Sequence, residues 1–149
     1  MAGKELLVKD HMRTPVYTIS AEAGLDRALL IMRSQRVRHL PVVENGSMIG
    51  LISDRDLRLS MQEMEQGPGG APKGYYLPAL KKVRTVMATK VVTAAPEMTL
   101  VEAAKIMSEN KFGALPVVEP ESKKVVGMIT ETDMLRLLMK LLQDKSTEG

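Results

Sequence analysis

The sequence predicts a mixed α/β (α+β) fold in which one β-α-β-β-α unit is written twice and the copies pack with pseudo-twofold symmetry. Three observations lead there. Residue types recur at a fixed offset: Met12 and Met87, Thr18 and Thr93, Leu25 and Leu100, Met32 and Met107, and Pro41 and Pro116 each stand 75 apart. Each half runs through the same order of extended segment, amphipathic helix, strand, hairpin return and closing helix. Each half also ends on the same stretch, Gly50-Leu-Ile-Ser-Asp-Arg-Asp56 and Gly127-Met-Ile-Thr-Glu-Thr-Asp133.

The elements follow in order. Val16-Tyr17-Thr18-Ile19 and Val91-Val92-Thr93 are short extended openings. The first helix of each copy shows apolar residues at i, i+3, i+4 and i+7: Leu25, Ala28, Leu29 and Met32, then Leu100, Ala103, Ala104 and Met107. Leu40-Pro-Val-Val43 and Leu115-Pro-Val-Val118 are strands, with proline tolerated near the start. Glu44-Asn-Gly-Ser47 carries an Asn-Gly hairpin signal. In the second copy the offset grows by two residues within Glu119-Pro-Glu-Ser-Lys-Lys124, a hairpin tip where an insertion leaves strand register intact. The return strands are 48–52 and 125–129, and a helix closes each unit; the last is expected from Asp133 to about Leu142. Between the copies, Gln66 to Gly74 is rich in glycine and proline and reads as a flexible loop, followed by a short helix from Pro78 to Val86. The boundaries are 6–61 for the first repeat, 62–82 for the linker and 83–142 for the second repeat. A unit of about 55 residues buries too little surface to stand alone, so the copies are expected to form one folded body.

Composition narrows the function classes. The 149 residues are 44% hydrophobic and 26% charged, as in an ordinary soluble protein. Lys plus Arg is 21 against 18 for Asp plus Glu, spread without a basic block, so no nucleic-acid partner is expected. One Phe and no Trp leave no stacking platform for bare bases. The absence of cysteine excludes disulfides, zinc thiolate sites and thiol nucleophiles. Leu6-Leu-Val8 is too short for a signal peptide, and no run approaches the ~20 apolar residues of a membrane span. A cytoplasmic protein without membrane contact is expected.

The doubled stretch carries the chemistry. Ser53 and Thr130 stand where a helix takes its N-cap, with Asp56 and Asp133 three residues on, the capping-box spacing with Asp for Glu. Capping alone explains the hydroxyls. An aspartate at a strand-to-helix corner also suits the hydroxyls of a ribose, and the helix N-terminus favours phosphate. His11 and His39 have no neighbouring nucleophile and no metal-ligand spacing, and there is no Walker loop. Neither a catalytic nor a metal site is expected.

The twofold repeat, the Leu-Pro-Val-Val strands and the Gly-x-x-[Ser/Thr]-x-x-Asp endings resemble the CBS domain, and two tandem copies resemble a stand-alone CBS pair, or Bateman module, from about Leu6 to Leu142. The resemblance implies adenosine ligands (AMP, ADP, ATP or S-adenosylmethionine) in two composite clefts, with no cofactor required. It places Asp133 and Thr130 opposite Thr14, Val16, Tyr17, Val37, Arg38 and His39, and Asp56 and Ser53 opposite Thr89, Val91, Val92, Phe112, Gly113 and Ala114. Arg55 and Thr132 match positions that reach phosphate in relatives. Arg38 and His39 have Gly113 and Ala114 as counterparts, so the Asp133 cleft is expected to hold the more phosphorylated or tighter ligand. The resemblance further implies a homodimer, for which Leu138, Leu141 and Leu142 offer apolar surface, and an unidentified protein regulated by it. The family's threonine cap is kept as Thr99 and replaced by Gly24 in the first copy, with little expected consequence. Three functions are weighed: a regulatory nucleotide-binding module, an enzyme, and a structural or dimerising protein that binds no nucleotide.

Overall fold

A computed structural model describes residues 5–78 and 80–148. Among the described residues there are four α-helices and seven strands, and each pair of helices brackets one of the two expected hairpins. Among the described residues, contacts divide the chain into one compact unit of 17–91 and another that joins 5–16 to 92–148.

In the 17–91 unit, strand β1 (Ile19–Ser20) leads to helix α1 (Leu25–Gln35), strands β2 (His39–Glu44) and β3 (Ser47–Ser53), and helix α2 (Asp54–Ser60). The sheet order is β1-β2-β3. β1 runs parallel to β2, with Ile19 opposite Val42, and β3 returns antiparallel. The turn between them places Asn45 and Gly46 at φ 52° and 81°, the left-handed pair that an Asn-Gly hairpin requires. Leu25, Ala28 and Met32 are buried from α1 against Leu40, Val42, Ile52 and Leu57. Helix α1 ends at Arg36 (φ 55°), whose N–H returns to the Met32 carbonyl.

After α2 the chain forms a two-stranded hairpin of β4 (Gln62–Met64) and β5 (Gly74–Tyr76). The Gly/Pro segment expected as a flexible loop is therefore the tip of an ordered hairpin, with the Tyr76 hydroxyl donating to the Pro72 carbonyl at 2.6 Å. The helix expected from Pro78 to Val86 is reduced, among the described residues, to a 3-10 turn at Val83–Thr85; Ala79 lies outside them. The reason is tertiary: the Val83 and Arg84 N–H groups donate to the carbonyls of Ala23 and Ala21 at 2.8 and 2.9 Å rather than to a preceding helical turn. Val83 is fully buried in this core.

The other unit repeats the plan. Helix α3 (Leu100–Asn110) is followed by strands β6 (Ala114–Val118) and β7 (Val125–Thr130) and by helix α4 (Glu131–Glu148). In place of β1 there is a single parallel bridge, Ala94 to Val117. Leu100, Ala103 and Met107 are buried as the periodicity requires, but Ala104 is exposed and Ile106 takes its place against the core. The closing helix begins two residues earlier and ends six residues later than expected.

The segment ahead of the first repeat packs with the second. Val8 is fully buried among Ala94, Leu100, Leu115 and Ile129, and its N–H donates to the Met98 carbonyl at 2.8 Å. Its 3-10 turn, Val8–Asp10, serves this unit as Val83–Thr85 serves the other. The bridges match in the same way: Leu7 with Thr99 corresponds to Lys82 with Gly24, and Arg13 with Met128 to Ala88 with Leu51.

Candidate functional site

Both repeated stretches build the same corner. In the 17–91 unit β3 runs into α2 at Ser53, whose hydroxyl accepts from the Asp56 N–H at 3.2 Å. The Ser53 N–H and hydroxyl donate to Asp56 Oδ2 at 2.8 and 3.0 Å, completing the capping box. The Asp54 N–H donates to the Arg38 carbonyl at 2.8 Å, and His39 pairs with Ser53 across the sheet. Residues 38 and 39 thus flank the N-terminus of α2. Arg38 and Arg55 are exposed, and Val37 and His39 half-buried.

The counterpart is assembled from 5–16 and 92–148. Thr130 caps α4, accepting from the Asp133 N–H at 3.2 Å, while its N–H and hydroxyl donate to Asp133 Oδ2 at 3.0 and 2.8 Å. The Glu131 N–H donates to the Gly113 carbonyl at 3.0 Å, and Ala114 pairs with Thr130. Here the two corners part. Arg13 Nε donates to Asp133 Oδ1 at 2.9 Å, so both carboxylate oxygens are engaged. Ala88 occupies the corresponding place in the other unit and carries no charge to set against Asp56.

The backbone bridges explain how each corner receives its neighbours. The Arg13 and Met128 N–H groups exchange bonds of 2.8 and 3.0 Å, and those of Leu51 and Ala88 bonds of 3.0 and 2.9 Å. Thr14 and Val16 therefore share a unit with Asp133 and Thr130, and Thr89 and Val91 share one with Asp56 and Ser53. Of the other residues expected in the Asp133 cleft, Tyr17, Val37, Arg38 and His39 belong to the 17–91 unit; of those expected with Asp56, Val92, Phe112, Gly113 and Ala114 belong to the unit of Asp133, as does Thr132. Thr14 precedes a cis Thr14–Pro15 bond.

The unit of Asp133 also carries an open groove of about 440 Å³ between the C-terminal half of α3 and the first turns of α4. Met107, Phe112, Met134 and Leu135 give it apolar walls, and Lys111 and Glu131 stand at its rim. Among the described residues no group of three or more His, Cys, Asp or Glu is placed to hold a metal ion.

A family model described as the CBS domain matches residues 8–63 and 83–140. The chain belongs to the CBS domain family. As a CBS pair it is 36% identical over 140 residues to a CBS domain-containing protein of Dictyostelium discoideum, covering 93% of this chain and 95% of that one. It is 32% identical to the CBS domain-containing protein YhcV of Bacillus subtilis, over 85% of this chain and 81% of the relative. Among solved structures it is similar to the CBS domain pair of protein MJ0100, with a TM-score of 0.75 and 25% identity, covering 92% of this chain and 98% of that one. That structure is a complex with 5-methylthioadenosine and S-adenosyl-L-methionine. Among the described residues of this CBS pair no helix is long and apolar enough to cross a membrane.

Arg13 is the residue that sequence reasoning missed. The repeat offset aligns it with Ala88, and that loss of charge between the copies was the available signal.

Proposed function

We propose that this CBS pair is a regulatory, non-catalytic module that binds adenosine ligands (AMP, ADP, ATP or S-adenosylmethionine) at its two aspartate corners. The observation that carries the reading is the pair of corners themselves. Each holds an aspartate by its own helix cap, with Oδ2 committed to the Ser53 or Thr130 N–H and hydroxyl and Oδ1 taking no part in the cap. A carboxylate fixed in this way suits the adjacent hydroxyls of a ribose, and the helix N-terminus beside it favours phosphate. The adenosine compounds held by the MJ0100 pair support the ligand class. In our reading Thr14, Val16, Thr130 and Thr132 serve the Asp133 corner, and Ser53, Arg55, Thr89 and Val91 the Asp56 corner, each set drawn from the unit of its own aspartate. Ligand shifts whichever conformation it binds more tightly, and a partner protein reads that shift. The module works in the cytoplasm, where the nucleotide pool lies.

Thermal unfolding with AMP, ADP, ATP, S-adenosylmethionine and 5-methylthioadenosine tests the reading. A ligand at a hundred times its dissociation constant adds about 2.7 kcal/mol of stability. The double variant Asp56→Ala/Asp133→Ala loses that gain. No shift with any of the five at millimolar concentration overturns the assignment.

A second reading, a dimerising protein whose clefts bind no nucleotide, rests on one feature. Helix α4 leaves Leu135, Leu138, Met139, Leu141 and Leu142 exposed, with Val101 exposed on α3. We expect a homodimer under either reading, and light scattering after gel filtration measures it. A dimer with no nucleotide response favours the second.

A further inference from the structure

We infer that Arg13 sets the charge of the ligand accepted at the Asp133 corner, favouring phosphorylated over uncharged nucleosides there, while Ala88 gives the Asp56 corner no counterpart to it. The inference rests on the adenosine-binding reading and deepens it. Its basis is the difference between two otherwise matching corners. Asp133 is mostly buried, at 11% side-chain exposure, and its one oxygen not used by the helix cap already accepts from Arg13 Nε. A ribose hydroxyl that donates to that oxygen has to compete with a charge-assisted bond. An uncharged nucleoside offers the guanidinium nothing in return. A phosphate does: Arg13 has five N–H donors in a fixed fork, of which the Asp133 contact uses one, and the side chain is half exposed. The guanidinium exchanges one anion for another when a phosphorylated ligand arrives, and its positive charge disfavours a cationic one. In the other unit Ala88 stands at the matching place and brings no guanidinium to Asp56.

The test is calorimetric titration with adenosine and with AMP, first on the unmodified protein and then on Asp56→Ala with and without Arg13→Ala. With Arg13 present, the remaining corner prefers AMP. Removing Arg13 tightens adenosine by about two- to fivefold, the scale of one partly exposed ion pair, and weakens AMP by a similar factor. Arg13→Lys, which keeps the charge, keeps the preference for AMP. Far-UV circular dichroism checks that Asp56→Ala is folded; if it is not, Asp56→Asn replaces it. An AMP-to-adenosine ratio unmoved by Arg13→Ala overturns the role of Arg13 and leaves the adenosine-binding reading standing. Failure of both ligands to bind the unmodified protein overturns both.

Discussion

Met87 lies across Gly50, with its sulfur 2.7 Å from where a Cβ on that glycine would stand and the Ala88 carbonyl oxygen 2.8 Å from the same point. The relationship recurs between Met12 and Gly127, where the Arg13 carbonyl oxygen would lie 3.1 Å from the added atom. The glycines of the repeated stretch therefore make room for a segment from outside the hairpin, and that segment is what carries Arg13 to Asp133 in one unit and ends in Ala88 at the matching bridge of the other.

Gly50→Ala is accordingly expected to lower stability by about 1–3 kcal/mol, because the methionine tip is able to move but the Ala88 backbone is held by two bridge hydrogen bonds, one accepted by its carbonyl and one donated by its N–H. Denaturant unfolding measures it. An unchanged midpoint means that the crossing segment yields freely.

Val8→Ala and Val83→Ala remove matching plugs from the two cores. Each side chain is fully buried, so each substitution is expected to cost about 1.5–3 kcal/mol from lost burial and the cavity left behind. The more specific expectation concerns Val8. Hydrogen exchange is to rise along α3, β6 and β7, since Val8 belongs with them, and not along α1 and β2.

Thr99→Ala takes away the hydroxyl that accepts from the Glu102 N–H at 3.1 Å at the start of α3. A loss of about 1 kcal/mol is expected. Gly24→Ala is not an equivalent control, because the N-cap of α1 has no side-chain bond to lose. Thermal unfolding of Thr99→Ala beside Thr99→Ser, which restores the acceptor, isolates the cap.

Glu22 links the first repeat to the segment crossing it, accepting from Lys82 Nζ at 2.8 Å and from Arg84 Nε at 2.9 Å. Those bonds, Lys82 foremost and Arg84 next, hold its carboxyl below the ordinary 4.5. A depressed folded-state pKa contributes stability that is fully present above the unfolded value and is lost as pH falls through the folded value. Glu22→Gln is expected to flatten the fall of melting temperature below about pH 4.5 and to leave the neutral plateau less salt-sensitive. An acid limb identical to that of the unmodified protein counts against the contribution.

Features that depend only on neighbours along the chain are legible from the residues alone. The repeat offset, the buried stripes of α1 and α3, the Asn45-Gly46 turn and the caps at Ser53, Thr99 and Thr130 all follow from periodicity and from bonds spanning two to four residues. Features that depend on distant partners emerge only once the chain is folded. Residues 5–16 and 82–91 offer little periodicity of their own, and beyond one 3-10 turn each their backbone bonds run to chain that is remote in sequence, as from Val8 to Met98 and from Val83 to Ala23. No local pattern predicts that Val83 bonds to Ala23 in preference to a helical turn, that Ala104 stays exposed beside a groove, or that Arg13 meets Asp133 across 120 positions. The aspartates were legible because the helix needs them where they are. The charge set against one of them was not, because only folding brings the start of the chain to its last helix.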